Sequence, residues 1–112
     1  REQQGRFPEA VLALDRAKRI YRLCLGPASW EVARVSVAIG MAQDQLGHSD
    51  SAKAEYTTSL RIYETYKDSV NGGRCLNNLG IIARKQSNTT EALELLHKAK
   101  ECISSNLGQG NL

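Results

Sequence analysis

The sequence has few of the residues that interrupt helices or build β-sheets. It contains only two prolines, Pro8 and Pro27, and aromatic residues make up 5% of its 112 positions. Alanine, leucine, glutamate, lysine and arginine are abundant instead, and these residues favour helix over strand. With 41% apolar residues the chain has enough material for one core. We therefore predict a single all-α domain.

Long apolar segments and a strong charge imbalance are also missing. No apolar run approaches the ~20 residues that span a bilayer, and the opening REQQGRFPEA lacks the apolar segment of a signal peptide. Fifteen basic and twelve acidic residues are mixed along the chain, so the charge indicates neither a nucleic acid nor a membrane as partner. We expect a cytoplasmic protein, with the nucleus as the alternative. Because no methionine begins the sequence, we also expect a longer protein around it.

Cysteine and histidine are too scattered to suggest a reactive site. The three cysteines, Cys24, Cys75 and Cys102, show neither paired spacing nor a nearby histidine set, so we expect small core residues in a reducing compartment and no metal or other cofactor. His48 and His97 have no carboxylate or thiol spaced to work with them. We predict that the chain is not an enzyme.

What the sequence does contain is an internal repeat. The segments SVAIGMAQDQLGHSDSA, 36–52, and LNNLGIIARKQSNTTEA, 76–92, align without gaps at an offset of 40 residues, which matches Gly40 with Gly80. A partial third copy lies upstream at an offset of 42. Its residues Gly5, Ala10, Leu14, Ala17, Ile20 and Tyr21 correspond to Gly47, Ala52, Tyr56, Ser59, Ile62 and Tyr63. We predict one array over 1–112, divided into a half repeat 5–28 and repeats 29–68 and 69–107.

Apolar residues within each repeat follow helical spacing, so each repeat is predicted to be a helical hairpin. The expected helices run near 8–24, 30–46, 50–67, 69–86 and 89–105. Pro8 is placed in the first turn of the first helix, and Ser29 and either Ser49 or Asp50 are placed as N-caps. Glycine in mid-helix costs about 1 kcal/mol, so Gly40 and Gly80 are predicted to permit close packing against the second helix, facing Ala52 and Ala92.

The repeats resemble the tetratricopeptide repeat family. The residues that carry the likeness are Ser36, Ile39, Gly40, Gln43, Ala52, Tyr56 and Ser59, then Leu76, Leu79, Gly80, Ala83, Ala92, Leu96 and Ala99. The long period, with the phrases LGPASWEVA and KDSVNGGRCLNNLG, is similar to kinesin light chain and Pins-type repeats. This resemblance implies an α-solenoid of antiparallel helix hairpins forming a right-handed superhelix, whose first helices line a concave groove.

Polar and basic residues on the first helix of each repeat would face that groove. We predict a peptide-binding site made of Arg34, Val37, Ala38, Met41, Gln45, Arg74, Asn77, Asn78, Ile81, Arg84 and Lys85. Asparagine amides can pair with an extended peptide backbone, and the basic residues outnumber the one acid, Asp44, so we expect an acidic peptide or a free carboxylate as the ligand. Trp30 is interpreted as a plug between repeats, with a binding contact as the alternative.

Two functions are consistent with these residues. The first is a non-catalytic scaffold that binds a peptide or partner segment in the groove. The alternative is a structural segment of a larger superhelix, or a self-association module, that has no groove ligand. Apolar residues near both ends, Val11, Leu12, Leu14, Ile103 and Leu107, favour self-association through the terminal helices.

Overall fold

Five helices follow one another along the chain. The computed structural model describes residues 2–110, with the surroundings of side chains from 8 to 104. The helices are α1 (Glu2–Leu25), α2 (Trp30–Gln45), α3 (Ser49–Thr65), α4 (Ser69–Lys85) and α5 (Thr89–Gly110). Helices α2 and α3 form one hairpin, α4 and α5 form the next, and each helix packs on its neighbours along the chain. The predicted all-α solenoid of helix hairpins is therefore confirmed.

The turns that end α2, α3 and α4 share one hydrogen-bonding pattern. In each turn the backbone N–H of the second residue after the C-cap donates to the carbonyl oxygen five residues earlier. The first of these bonds runs from His48 to Gln43, and the three N to O distances are 2.8–2.9 Å. The residue just after the C-cap then has positive φ, and it is Gly47, Lys67 or Ser87 in turn. This is the Schellman motif. The repeated turn reverses the chain every 20 residues and so fixes the hairpin geometry.

Two connected clusters make up the core between the helices. One joins Val32 and Ala33 of α2 to Ile62 and Tyr63 of α3 and to Cys75 of α4. The other joins Ala52 and Tyr56 of α3 to Leu79 and Ile82 of α4. Val37 and Leu60 pack against both clusters, so the first complete hairpin and the following helix share one continuous apolar interior.

Gly40 and Gly80 lie where two helices approach closely. A Cβ atom on Gly40 would lie 2.8 Å from the Tyr56 ring, and one on Gly80 would lie 2.8 Å from Leu96 Cγ. Both distances are shorter than a van der Waals contact, so each glycine makes room for the large side chain of the second helix. The predicted close approach is correct. The three atoms nearest to a Cβ on Gly40 all belong to Tyr56, whereas the Ala92 carbonyl oxygen is the third nearest atom at Gly80, at 3.4 Å.

Several local predictions differ from the structure. Pro8 lies inside α1, because the helix begins at Glu2; a proline at an interior position removes one hydrogen bond of the helix, and its ring crowds the carbonyl four residues earlier. Gly5 is helical, unlike its counterpart Gly47 in a turn. The N-cap of α3 is His48, without a side-chain cap hydrogen bond, whereas Ser29 accepts from the Val32 N–H as predicted.

The cysteine prediction is correct for only part of the set. Cys75 is buried and Cys102 is half-buried, but Cys24 is exposed. Cys24 lies in the last turn of α1, on a side that the described helices do not cover. Among the terminal apolar residues, Val11 is buried, Leu12 is exposed, and the side chain of Leu107 lies outside the described residues.

Candidate functional site

The predicted site residues lie on α2 and α4, and most of them reach the surface. We call the surface that they form the α2/α4 face. Its exposed members are Arg34, Met41, Gln45, Arg74, Asn77, Arg84 and Lys85, and its half-buried members are Val37, Ala38, Asn78 and Ile81. The asparagines are therefore available to solvent, while Leu76 and Leu79 of the same helix are buried.

A cavity of about 230 Å³ opens at the N-terminal ends of α2 and α4. Its polar lining includes Arg34, Arg74, Asn71 and Asn78, and its apolar lining is Trp30, Val37, Tyr63 and Cys75. We call it the arginine cavity.

The aromatic wall of the arginine cavity holds one of its arginines. The Arg34 guanidinium lies 5.2 Å from the centre of the Trp30 ring, a cation–π contact. Trp30 in turn meets Tyr63 edge-to-face, with 6.4 Å between ring centres. Both contacts lie within the repeat 29–68, and Trp30 also lines the cavity beside Asn71 and Arg74 of the next repeat. Its role as a plug between repeats or as a binding contact stays a prediction.

Asp68, the N-cap of α4, organises the polar side of the arginine cavity. Its carboxylate accepts from the Asn71 side chain at 2.7 Å and from the Asn71 N–H at 3.1 Å. Burial opposes ionisation of Asp68, but these hydrogen bonds, together with Trp30 and the charge of Arg74, lower its pKa below the ordinary value. Burial raises the pKa of the Cys75 thiol to about 11, and Asp68 adds to this. The thiol in the cavity wall is therefore neutral at physiological pH.

A second cavity, of about 460 Å³, lies beside the first and is more apolar. We call it the apolar cavity. Its lining consists of Val37, Met41, Arg74, Asn77, Asn78, Leu96, Ala99, Lys100 and Ile103. Val37, Arg74 and Asn78 line both cavities, so the two cavities adjoin at these residues.

The remaining predicted residues lie outside these cavities. Lys85 donates to Asp44 at 3.1 Å, which links α4 to α2 and pairs the one acid of the predicted site with a base. Ala38 lines a different cavity, of about 250 Å³, together with Leu14 and Tyr21 of α1. The structure thus brings together Arg34, Val37, Met41, Arg74, Asn77 and Asn78 around the two cavities, and not Ala38, Gln45, Ile81, Arg84 or Lys85.

Sequence reasoning missed the α5 side of the apolar cavity. Leu96, Ala99 and Ile103 follow a helical apolar stripe that predicts burial against α4, and they do lie close to the glycines of that helix. Parts of the same side chains also face the cavity with Lys100. Their double role depends on how far α5 covers α4, which the spacing alone does not reveal.

Comparison with known families agrees with the repeat geometry. Two family models, each described as tetratricopeptide repeat, match residues 33–66 and 73–111, and together they span well over half of the chain. The chain belongs to the tetratricopeptide repeat family. Members of this family generally mediate protein–protein interactions and are typically non-catalytic scaffolds. No curated protein matches the chain.

Within the described residues, no helix is long and apolar enough to cross a bilayer. No cluster of three or more histidine, cysteine, aspartate or glutamate side chains suited to a metal ion occurs in the same part of the chain.

Proposed function

We propose that this chain is a non-catalytic scaffold module that binds an extended peptide or partner segment along the α2/α4 face. The observation that carries the proposal is the pair of adjoining cavities that share Val37, Arg74 and Asn78. A single extended segment lying across the shared residues would place alternate side chains in the two cavities, since side chains two positions apart in an extended chain share one side.

The chemistry of the shared residues suits a peptide main chain. The Asn78 amide can donate to a carbonyl and accept from an N–H, so it can pair with a backbone of any sequence. It is half-buried, and a hydrogen bond in a partly water-excluded position contributes more than one in open solvent. Asn77, which is exposed beside it, offers a second amide on the same helix.

The charges favour an acidic partner. Within residues 8–104 Arg34 and Arg74 form no ion pair, although Asp68 lies close enough to Arg74 to be affected by its charge. A carboxylate in the arginine cavity would therefore meet two guanidinium groups, and guanidinium is well matched to carboxylate. We further propose a cytoplasmic setting, with no nucleic acid or membrane partner for this surface.

Selection from a random peptide library, followed by fluorescence polarisation with the selected peptides, tests the proposal. The wild-type chain is compared with the Asn78→Ala, Arg74→Glu double variant, which we expect to lose binding by about tenfold or more. A matched control carries Thr65→Ala and Arg61→Glu on the exposed side of α3 and should bind as the wild type does. Equal affinity of the wild type and the Asn78→Ala, Arg74→Glu variant would show that the peptide does not bind at the α2/α4 face.

One observation favours the alternative, a structural segment or self-association module with no groove ligand. Ile20 of α1 is 58% exposed, whereas its repeat counterpart Ile62 is 4% exposed and lies in a cluster with residues of α2 and α4. Another helix packed on α1 would cover Ile20 in the same way. Light scattering together with thermal melting tests self-association. A strictly monomeric chain that melts cooperatively would speak against it.

A further inference from the structure

The outer face of α1 carries two exposed leucines with two arginines between them. Leu12 is 61% exposed and Leu23 is 81% exposed. Arg16 and Arg19, both exposed, lie between them on the same side of the helix, since residues at intervals of four, three and four share one helical face. We call these four residues the α1 outer face.

Repeat stacking does not account for these leucines. The positions that correspond to Leu12 and Leu23 in α3 are Ala54 and Thr65, both exposed. In α5 the counterpart of Leu12 is Glu94, again exposed. The other two outer helices thus have small or polar residues where α1 has leucine. Leu12 and Leu23 therefore depart from the pattern of the other outer helices, and with Arg16 and Arg19 they form a mixed apolar and basic surface.

The charge of the α1 outer face decides between possible occupants. Within residues 8–104 the side chains of Arg16, Arg19 and Arg22 form no ion pair, whereas Lys18 is already paired with Glu55 at 2.9 Å. Glu9 lies in the first half of the helix and the exposed Asp15 near its middle, and every charged residue from Arg16 to Leu23 is basic.

A second copy of this chain is a poor occupant. An antiparallel pair of α1 helices would bring Leu12 of each copy to Leu23 of the other, but it would also gather both copies of Arg16 and Arg19 at the centre. Like charges held together at the centre of an interface oppose association. A helix with leucines in the same spacing and acids between them would satisfy both the apolar and the charged residues.

We propose that the α1 outer face binds an acidic amphipathic helix of another protein. The partner helix has two apolar residues eleven positions apart and acidic residues at the fourth and seventh positions after the first. Because the four-three-four spacing reads the same in both directions, the helix can lie antiparallel along α1, with its acids opposite Arg16 and Arg19 and its apolar residues on Leu12 and Leu23.

Fluorescence polarisation with defined peptides tests the proposal. The probe is a labelled peptide of about 18 residues, long enough to form a helix when bound, with leucine and glutamate in the stated spacing. A comparison peptide of the same length has lysine in place of each glutamate. Two double variants of the protein are compared. Leu12→Ala with Leu23→Thr introduces the residue types that α3 has at the corresponding positions, and Arg16→Glu with Arg19→Glu reverses the charge. The control is Leu93→Ala, an equally exposed leucine of α5.

The wild type and the Leu93 control should bind the glutamate peptide, and both double variants should bind it more weakly by about tenfold or more. The arginine-to-glutamate variant should instead prefer the lysine peptide. Circular dichroism melting checks that the variants stay folded. Absence of binding, equal binding of the two peptides, insensitivity to the variants, or binding only to phosphatidylcholine vesicles containing phosphatidylserine would each overturn the proposal. The Asn78→Ala, Arg74→Glu variant should leave this binding unchanged.

Discussion

Two buried serines occupy positions where the repeat pattern favours apolar residues, and their surroundings differ. Ser36 and Ser59 both have 0% exposure. The Ser59 hydroxyl lies 2.9 Å from the Ala33 carbonyl oxygen of α2 and 3.1 Å from the Glu55 carbonyl oxygen of its own helix. The Ser36 hydroxyl has no hydrogen-bond partner among the described residues. One serine therefore ties α3 to α2, and the other carries an unpaired polar group in the core.

We expect alanine substitutions at these two serines to have opposite effects. Ser36→Ala removes a buried hydroxyl without a partner and should raise the free energy of unfolding by about 1 kcal/mol. Ser59→Ala removes a made hydrogen bond and should lower it by about 1 kcal/mol. Urea unfolding followed by circular dichroism measures both. A loss of stability for Ser36→Ala equal to that for Ser59→Ala would contradict the unpaired hydroxyl.

At the scale of the elements, one glycine decides how closely α2 and α3 approach. Gly40 packs on the Tyr56 ring, and Tyr56 is itself buried with 3% exposure. The ring cannot move aside without disturbing its cluster with Leu79 and Ile82. Burial also raises the pKa of Tyr56 to about 12, with Asp44 adding to it, so the ring stays neutral within the core.

Gly40→Ala should lower the free energy of unfolding even though alanine is the better helix former. The new Cβ would lie 2.8 Å from Tyr56, and such overpacking costs about 1–3 kcal/mol. The matched control is Gly72→Ala in α4, where the nearest atom would be 3.8 Å away on Leu60. That control should gain about 0.5–1 kcal/mol from helix propensity. Urea unfolding of the two variants checks the pair, and a stabilised Gly40→Ala variant would show that the close approach is not needed.

The whole molecule is held together chiefly by contacts between helices that follow one another in the chain. This is the arrangement of a repeat protein, whose stability is approximately a sum over repeats and their interfaces. Helix α1 packs on α2 and is joined to α3 through Lys18 and Glu55, whereas α2, α3 and α4 each pack on two neighbours. Local opening should therefore vary along the array.

Hydrogen exchange followed by mass spectrometry should detect this variation. We expect the amides of α1 to exchange faster than those in the middle of α2, α3 and α4, because α1 has fewer buried contacts. Gly80→Ala, which strains the α4 and α5 pair, should speed exchange in these two helices and change α1 little. Equal acceleration in all five helices would mean that the chain opens as one cooperative unit.

The fold followed from the sequence because its signals are local and repeated. Helical apolar spacing, the offset of 40 residues and the glycine pair together predicted five helices in hairpins. The turns were only partly predictable. Gly47 signals the first, but Lys67 and Ser87 take positive φ without a sequence signal, because the hydrogen bonds of the Schellman turn and the packed hairpins hold them there.

The sequence by itself determined which helix faces are apolar and which groups reach solvent on α2 and α4, since both depend on residue type and helical period. Only the tertiary structure decided that Val37, Arg74 and Asn78 join two cavities, that Tyr56 fills the space at Gly40, and that Leu12 and Leu23 stay uncovered. The physical reason is that cavities, close contacts and uncovered faces depend on the distance between helices. That distance results from all the packed side chains together, not from any one segment.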